Sequence, residues 1–136
     1  MEFSHQIRVS YQETDKMGVV YHSNYLHWFE VGRAEMFRQL EFNYKEIEER
    51  GVVLAVVESN CKYHAPAYYD DLIDVYVKVK EFKQTRIAFD YKIVRNEDGK
   101  LLTTGNTVHV FVNHNFKPLS LKKTDIELWE MLEENF

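Results

Sequence analysis

Polar and apolar residues alternate with a period of two along residues 3–12. Phe3, His5, Ile7, Val9 and Tyr11 fall on one side, and Ser4, Gln6, Arg8, Ser10 and Gln12 on the other. That pattern predicts a half-buried strand. It stops at Thr14-Asp15-Lys16-Met17-Gly18, where glycine opens a backbone conformation closed to other residues. From Asn24 to about Leu40 the period becomes helical. Tyr25, Leu26, Trp28, Phe29, Gly32, Met36, Phe37 and Leu40 lie within roughly half the circumference. Ser23 or Asn24 is the expected N-cap. Gly32 predicts close approach of another backbone, and Arg33, inside the same arc, requires a carboxylate partner, with Glu30 the nearest.

Residues 43–49 read as a short polar helix ended by Gly51. Extended segments follow. Residues 52–65 begin apolar and then place Val57, Cys61, Tyr63 and Ala65 opposite Glu58, Asn60, Lys62 and His64. Ile73, Val75, Val77 and Val79 oppose Asp74, Tyr76, Lys78 and Lys80, and Ile87, Phe89, Tyr91 and Ile93 oppose Arg86, Ala88, Asp90 and Lys92. Val108, Val110 and Val112 alternate with His109 and Phe111. Asp98-Gly99 is a hairpin signal, residues 82–85 are short enough for another tight turn, and Pro66 and Pro118 punctuate connections. Thr124-Asp125-Ile126-Glu127 reads as a capping box opening an amphipathic helix with Ile126, Trp129 and Leu132. The order is strand, long helix, short helix, four mostly antiparallel strands, helix. This is an α+β pattern, solved by a sheet of about five strands wrapped around one central helix.

Composition narrows the function. At 136 residues, the chain is expected to form a single domain, 1–136, with a sizeable core. One cysteine permits no intrachain disulfide and suggests a reducing compartment. No signal-peptide pattern and no apolar run of transmembrane length is present, so a soluble, cytoplasmic protein with no membrane association is expected. A net charge of -5 argues against nucleic-acid binding. The six histidines show no metal-ligand spacing. The chain also carries no G-x-S-x-G elbow and no Gly-rich phosphate loop.

Candidate chemistry concentrates at the strand-to-helix break. Asp15 and His22 sit just ahead of a helix N-terminus, whose first backbone N–H groups have no intrahelical acceptor. A carboxylate beside a row of free donors suits attack on a carbonyl whose oxygen gains negative charge.

The run Thr14, Asp15, Gly18, Val19, Val20, Tyr21, His22, Asn24 and Tyr25 resembles the 4-hydroxybenzoyl-CoA thioesterase family, and within it the YbgC-like acyl-CoA thioesterase branch. The resemblance implies a hotdog fold and hydrolysis of a short- to medium-chain or aromatic acyl-CoA without metal or cofactor. It implies that Asp15 acts as nucleophile or general base, and that the backbone N–H at His22 polarises the thioester carbonyl. Gly18, Val20, Tyr21, Asn24 and Tyr25 become candidate substrate-binding residues. Lys83 and Arg86, beside a strand turn, become candidates for the CoA phosphates. Homodimers joined edge to edge, or tetramers built from them, are implied as well. The founding benzoyl-type enzymes carry Pro-Ala after the Asp and Tyr at the position of His22; here Lys16-Met17 and His22 stand there.

Each residue also has a plainer reading. Asp15 is a natural turn cap, Asn24 a helix cap, and Tyr21 and Tyr25 packing residues. Glu30 suits Arg33 better than a second catalytic acid. Cys61 reads as a small buried hydrophobe, and Lys83 and Arg86 as solvated charge. Competing functions on the same fold are a non-catalytic acyl-CoA-binding or regulatory protein, an enoyl-thioester hydratase, and an accessory acting on acyl carrier protein. An acidic chain docks less naturally on that acidic partner.

Overall fold

The computed structural model describes residues 2–136. Five strands form one antiparallel sheet: β1 (Glu2–Arg8), β2 (Val53–Tyr63), β3 (Leu72–Phe82), β4 (Arg86–Arg95) and β5 (Leu101–Val112), in the order β1-β3-β4-β5-β2. Between β1 and β2 lie α1 (Ser23–Arg38) and α2 (Tyr44–Glu49), and after β5 come α3 (Leu121–Thr124) and α4 (Ile126–Asn135). No helix among the described residues is long and apolar enough to cross a membrane.

α1 buries Tyr25, Trp28, Phe29, Gly32, Arg33, Met36 and Phe37, the three-and-four spacing of one helical face. Leu26 falls outside that face and is half-exposed. A Cβ on Gly32 would sit 2.8 Å from Val75 Cγ1 and 3.0 Å from Val77 Cγ2, so the glycine admits the valines of β3, not another backbone. Phe29 stacks on Tyr91 of β4, with centroids 4.4 Å apart and planes 8° apart. The same ring covers Gly105 of β5, where a Cβ would lie 2.5 Å from Phe29 Cε2. The helix thus rests against the three middle strands, and the sheet curls around it as a hotdog fold requires.

Several expectations change. β1 ends at Arg8, because Ser10 and Glu13 cap a 3-10 turn over Tyr11–Glu13 that leaves Tyr11 78% exposed. β2 is an edge strand with a bulge between Val56 and Glu58, so Val57 and Tyr63 are exposed where alternation alone predicted burial. α4 is capped by Asp125, not Thr124. The Asp125 carboxylate accepts the Leu128 N–H at 3.1 Å and both Nε and Nη2 of Arg50 at 2.8 Å. Ile126 consequently faces solvent, and Leu128, Trp129, Met131 and Leu132 face the core.

Arg33 finds no carboxylate. Its Nε donates to the Tyr44 hydroxyl at 2.6 Å and its Nη1 to the Tyr91 hydroxyl at 2.9 Å, whereas Glu30 stays exposed beside His27. The chain of bonds continues from Tyr91 to Thr107 Oγ1 (2.7 Å) and from Thr107 to His109 Nε2 (2.9 Å). His109 is fully buried. Burial, reinforced by the Arg33 charge, pushes its imidazole down to about 4. Unfolding returns the ring to water, where it titrates near 6.5, so the unfolded chain takes up the extra proton first as pH falls. This contribution is fully present above about pH 6.5 and is lost between there and about pH 4. Urea midpoints measured across that interval are expected to fall more steeply for the wild type than for His109→Gln. Parallel curves would contradict the assignment.

Candidate active site

The loop after the 3-10 turn is closed by a bridge between Thr14 and Val20. Inside it, Asp15 N–H donates to Val19 O (2.9 Å) and Gly18 N–H to Asp15 O (3.0 Å), with Gly18 at φ +80. Asp15 Oδ1 accepts the Met17 N–H at 2.8 Å. Asp15 therefore is a turn cap, but through one oxygen only; Oδ2 accepts no hydrogen bond among the described residues. Val20 N–H donates to Ala67 O (2.9 Å), and Ala67 N–H donates to the Tyr25 hydroxyl (3.1 Å). These bonds stitch the loop and the first turn of α1 to the segment that follows β2.

A cavity of about 340 Å³ opens between them. Asp15, Met17, Val19 and Val20 come from the loop, His22 and Tyr25 from the start of α1, and Tyr63, His64, Ala65 and Pro66 from the end of β2. The walls are mainly apolar. Tyr63 donates to His22 O at 3.3 Å, and His64 Nε2 lies 2.9 Å from Thr104 Oγ1. Burial raises the Tyr25 phenol above its ordinary value, and Tyr63, desolvated beside Cys61, is pushed up to about 12. Both are neutral near pH 7, and Asp15 is the one carboxylate among the residues of the lining. Asn24 N–H donates to Tyr21 O and Tyr25 N–H to His22 O, while the N–H groups of His22 and Ser23 donate to no group among the described residues. Two unpaired donors at a helix N-terminus favour an oxygen that gains negative charge.

Asp15, His22, Val20 and Tyr25, chosen from the sequence, are brought together here. Gly18 shapes the turn without lining the cavity. Tyr21 is half-exposed, its ring 4.4 Å from that of His22. Asn24 is not a cap: its Nδ2 donates to Glu13 O at 3.0 Å, because His22 occupies the cap position and Asn24 is already helical. Lys83 and Arg86 lie on the β3–β4 turn, each 3.0 Å from Glu81. The other end of β4 meets the cavity, where Arg95 Nη2 donates to Pro66 O at 2.7 Å. Within one chain, a strand's length separates Lys83 and Arg86 from Asp15. Cys61 is half-buried, and burial raises its thiol. Among the described residues no cluster of His, Cys, Asp or Glu is placed to hold a metal.

Sequence reasoning missed the wall from Tyr63 to Pro66 as well as Met17 and Val19. Pro66 marked the end of a strand, but nothing local links that strand to Asp15.

The sequence profile of the thioesterase-like superfamily matches residues 9–132. The chain is 40% identical over 95 residues to the acyl-CoA thioesterase YbgC of Haemophilus influenzae, covering 69% of this chain and 70% of the relative. It is 32% identical over 123 residues to the acyl-CoA thioester hydrolase YbgC of Escherichia coli O157:H7, covering 90% and 91%. The crystal structure of DHNA-CoA thioesterase from Staphylococcus aureus superposes with a TM-score of 0.92 at 32% identity, covering 98% of this chain and 90% of that one. With the family profile spanning most of its length and named acyl-CoA thioester hydrolases among its relatives, this chain belongs to the thioesterase-like superfamily.

Proposed function

We propose that the protein is an acyl-CoA thioesterase acting on a short- to medium-chain or aromatic acyl-CoA. The observation that carries this reading is one carboxylate, Asp15, lining an apolar cavity together with His22, at the helix start where the N–H groups of His22 and Ser23 have no partner among the described residues. The acyl group occupies the slot formed by Val19, Val20, Tyr25, Ala65 and Pro66. The carbonyl oxygen turns toward the N–H groups of His22 and Ser23, which stabilise the charge it gains. Asp15 Oδ2 either attacks the carbonyl carbon, giving an anhydride that water then opens, or takes a proton from the attacking water. In either route the C–S bond breaks, the pair of electrons leaves on sulfur, and solvent protonates the thiolate. A thiolate is a good leaving group, so no strong general acid is required.

The homologues' names support the acyl-CoA substrate: those from Haemophilus influenzae and Escherichia coli are named for acyl-CoA thioesters, and that from Staphylococcus aureus for DHNA-CoA. We assign the protein a homodimeric assembly through the β2 edge. That strand is long and lies at the sheet boundary with Val56 and Val57 exposed at 55% and 59%, and an exposed edge strand leaves a row of backbone groups open to pairing with another chain.

The test is thiol release from acyl-CoAs ranging from acetyl and benzoyl to palmitoyl, with wild type and Ala65→Phe compared. The larger ring in the slot is expected to lower kcat/KM for bulky acyl groups by about 10-fold or more, since even one methylene too many costs about that much, and to leave acetyl nearly unchanged. An identical ranking in both proteins would place the acyl group elsewhere.

A further inference from the structure

We propose that Glu13 is a positioning residue, one that holds the Asp15 loop in register with the first turns of α1; this rests on Asp15 being the working carboxylate. Glu13 lies two residues before Asp15 and bonds in four directions. Its Oε1 accepts the Ser10 N–H (2.8 Å) and the Ser10 hydroxyl (3.0 Å), which fixes the chain before the loop. Its Oε2 accepts the Trp28 indole N–H at 2.8 Å, which fixes the second turn of α1. Its carbonyl accepts the Tyr21 N–H (2.9 Å) and the Asn24 side chain (3.0 Å). Tyr21 and Asn24 flank His22 and Ser23, whose N–H groups donate to no group among the described residues. The carboxylate and the donors it works with are therefore both tied to one residue that lies outside the cavity lining.

The chemistry of these bonds makes the carboxylate hard to replace. Trp28 is 1% exposed, so its indole N–H must find an acceptor inside the protein. The two carboxylate oxygens accept from all three side-chain and backbone donors at once. Glutamine has one acceptor oxygen and a donor NH₂. In Glu13→Gln that NH₂ faces either the Trp28 N–H or the Ser10 donors, and one of the two ties is lost. The fold stays, since Trp28 keeps its packing, but the loop gains freedom relative to α1. Misplacing a reacting group by about 1 Å costs up to about 10²-fold in rate.

The experiment measures kcat and KM for thiol release with wild type, Glu13→Gln, Trp28→Phe and Asp15→Asn, with circular dichroism and thermal melts alongside. Trp28→Phe keeps an aromatic ring while removing the indole N–H tie and part of the ring volume; with the thermal melt reading the packing loss and kcat reading the tie, it decides the question if Glu13→Gln does not fold. The expected result is a folded Glu13→Gln with kcat down by about 10- to 100-fold and KM little changed. Glu13→Gln or, failing that, Trp28→Phe with wild-type kcat overturns the proposal, as does a raised KM at unchanged kcat. A fully active Asp15→Asn overturns it by removing the reading beneath it. An inactive Asp15→Asn beside a wild-type Glu13→Gln overturns the role of Glu13 alone.

Discussion

Asp15→Asn is expected to lose at least about 10²-fold in kcat, the ordinary range for removing a positioned base or nucleophile. The substitution is nearly isosteric. Its side-chain oxygen still accepts the Met17 N–H that holds the turn, so the loop keeps its shape and KM is expected to change little. What disappears is the second carboxylate oxygen, which in the wild type meets no donor among the described residues and is free to attack or to accept a proton. Initial rates of thiol release on purified wild type and variant check this. Equal rates would mean that another group does the chemistry, and the two imidazoles of the lining, His22 and His64, would be the places to look.

Phe29→Ala is expected to be the most damaging single truncation to stability, at about 3–5 kcal/mol. Phe29 is fully buried, stacks on Tyr91, and lies over the bare backbone of Gly105. Two strands and the helix therefore close around one ring, and no neighbour can collapse into its place without leaving the sheet. A domain of ordinary stability has only about 5–15 kcal/mol in total, so urea unfolding followed by Trp fluorescence is expected to shift to a much lower midpoint. A loss below about 0.5 kcal/mol, the size of a typical surface change, would show that the helix–sheet contact is not centred on Phe29.

The α1 face, the junction at Asp15 and the Asp98-Gly99 hairpin are legible because each rests on a local rule: helical spacing, a glycine at positive φ, an Asp-Gly turn pair. Alternation in residues 52–65 named a strand but not its place in the sheet, and only the place decides whether Val57 and Tyr63 are covered. The wall from Tyr63 to Pro66 meets Asp15 through pairing across about 50 residues of chain, which no local pattern encodes. Arg33 illustrates the same limit. Its position in the apolar arc was plain, but the partners are hydroxyls of Tyr44 and Tyr91, one from the next helix and one from a distant strand. A carboxylate one turn away was the natural guess from spacing, and it fails because Glu30 points to solvent. His109 was read as one member of an alternation. Its burial, and the hydroxyl chain that makes burial tolerable, arise only when β4, β5 and α1 meet.

The most direct measurement is product stoichiometry for wild-type protein incubated with acyl-CoAs, with free thiol titrated and the acid quantified by mass spectrometry. The expected result is one CoA thiol and one free acid per substrate consumed, catalytically and without added metal. Saturable binding with no thiol released from any substrate, or a change in acyl unsaturation with the thioester intact, would contradict thioester hydrolysis.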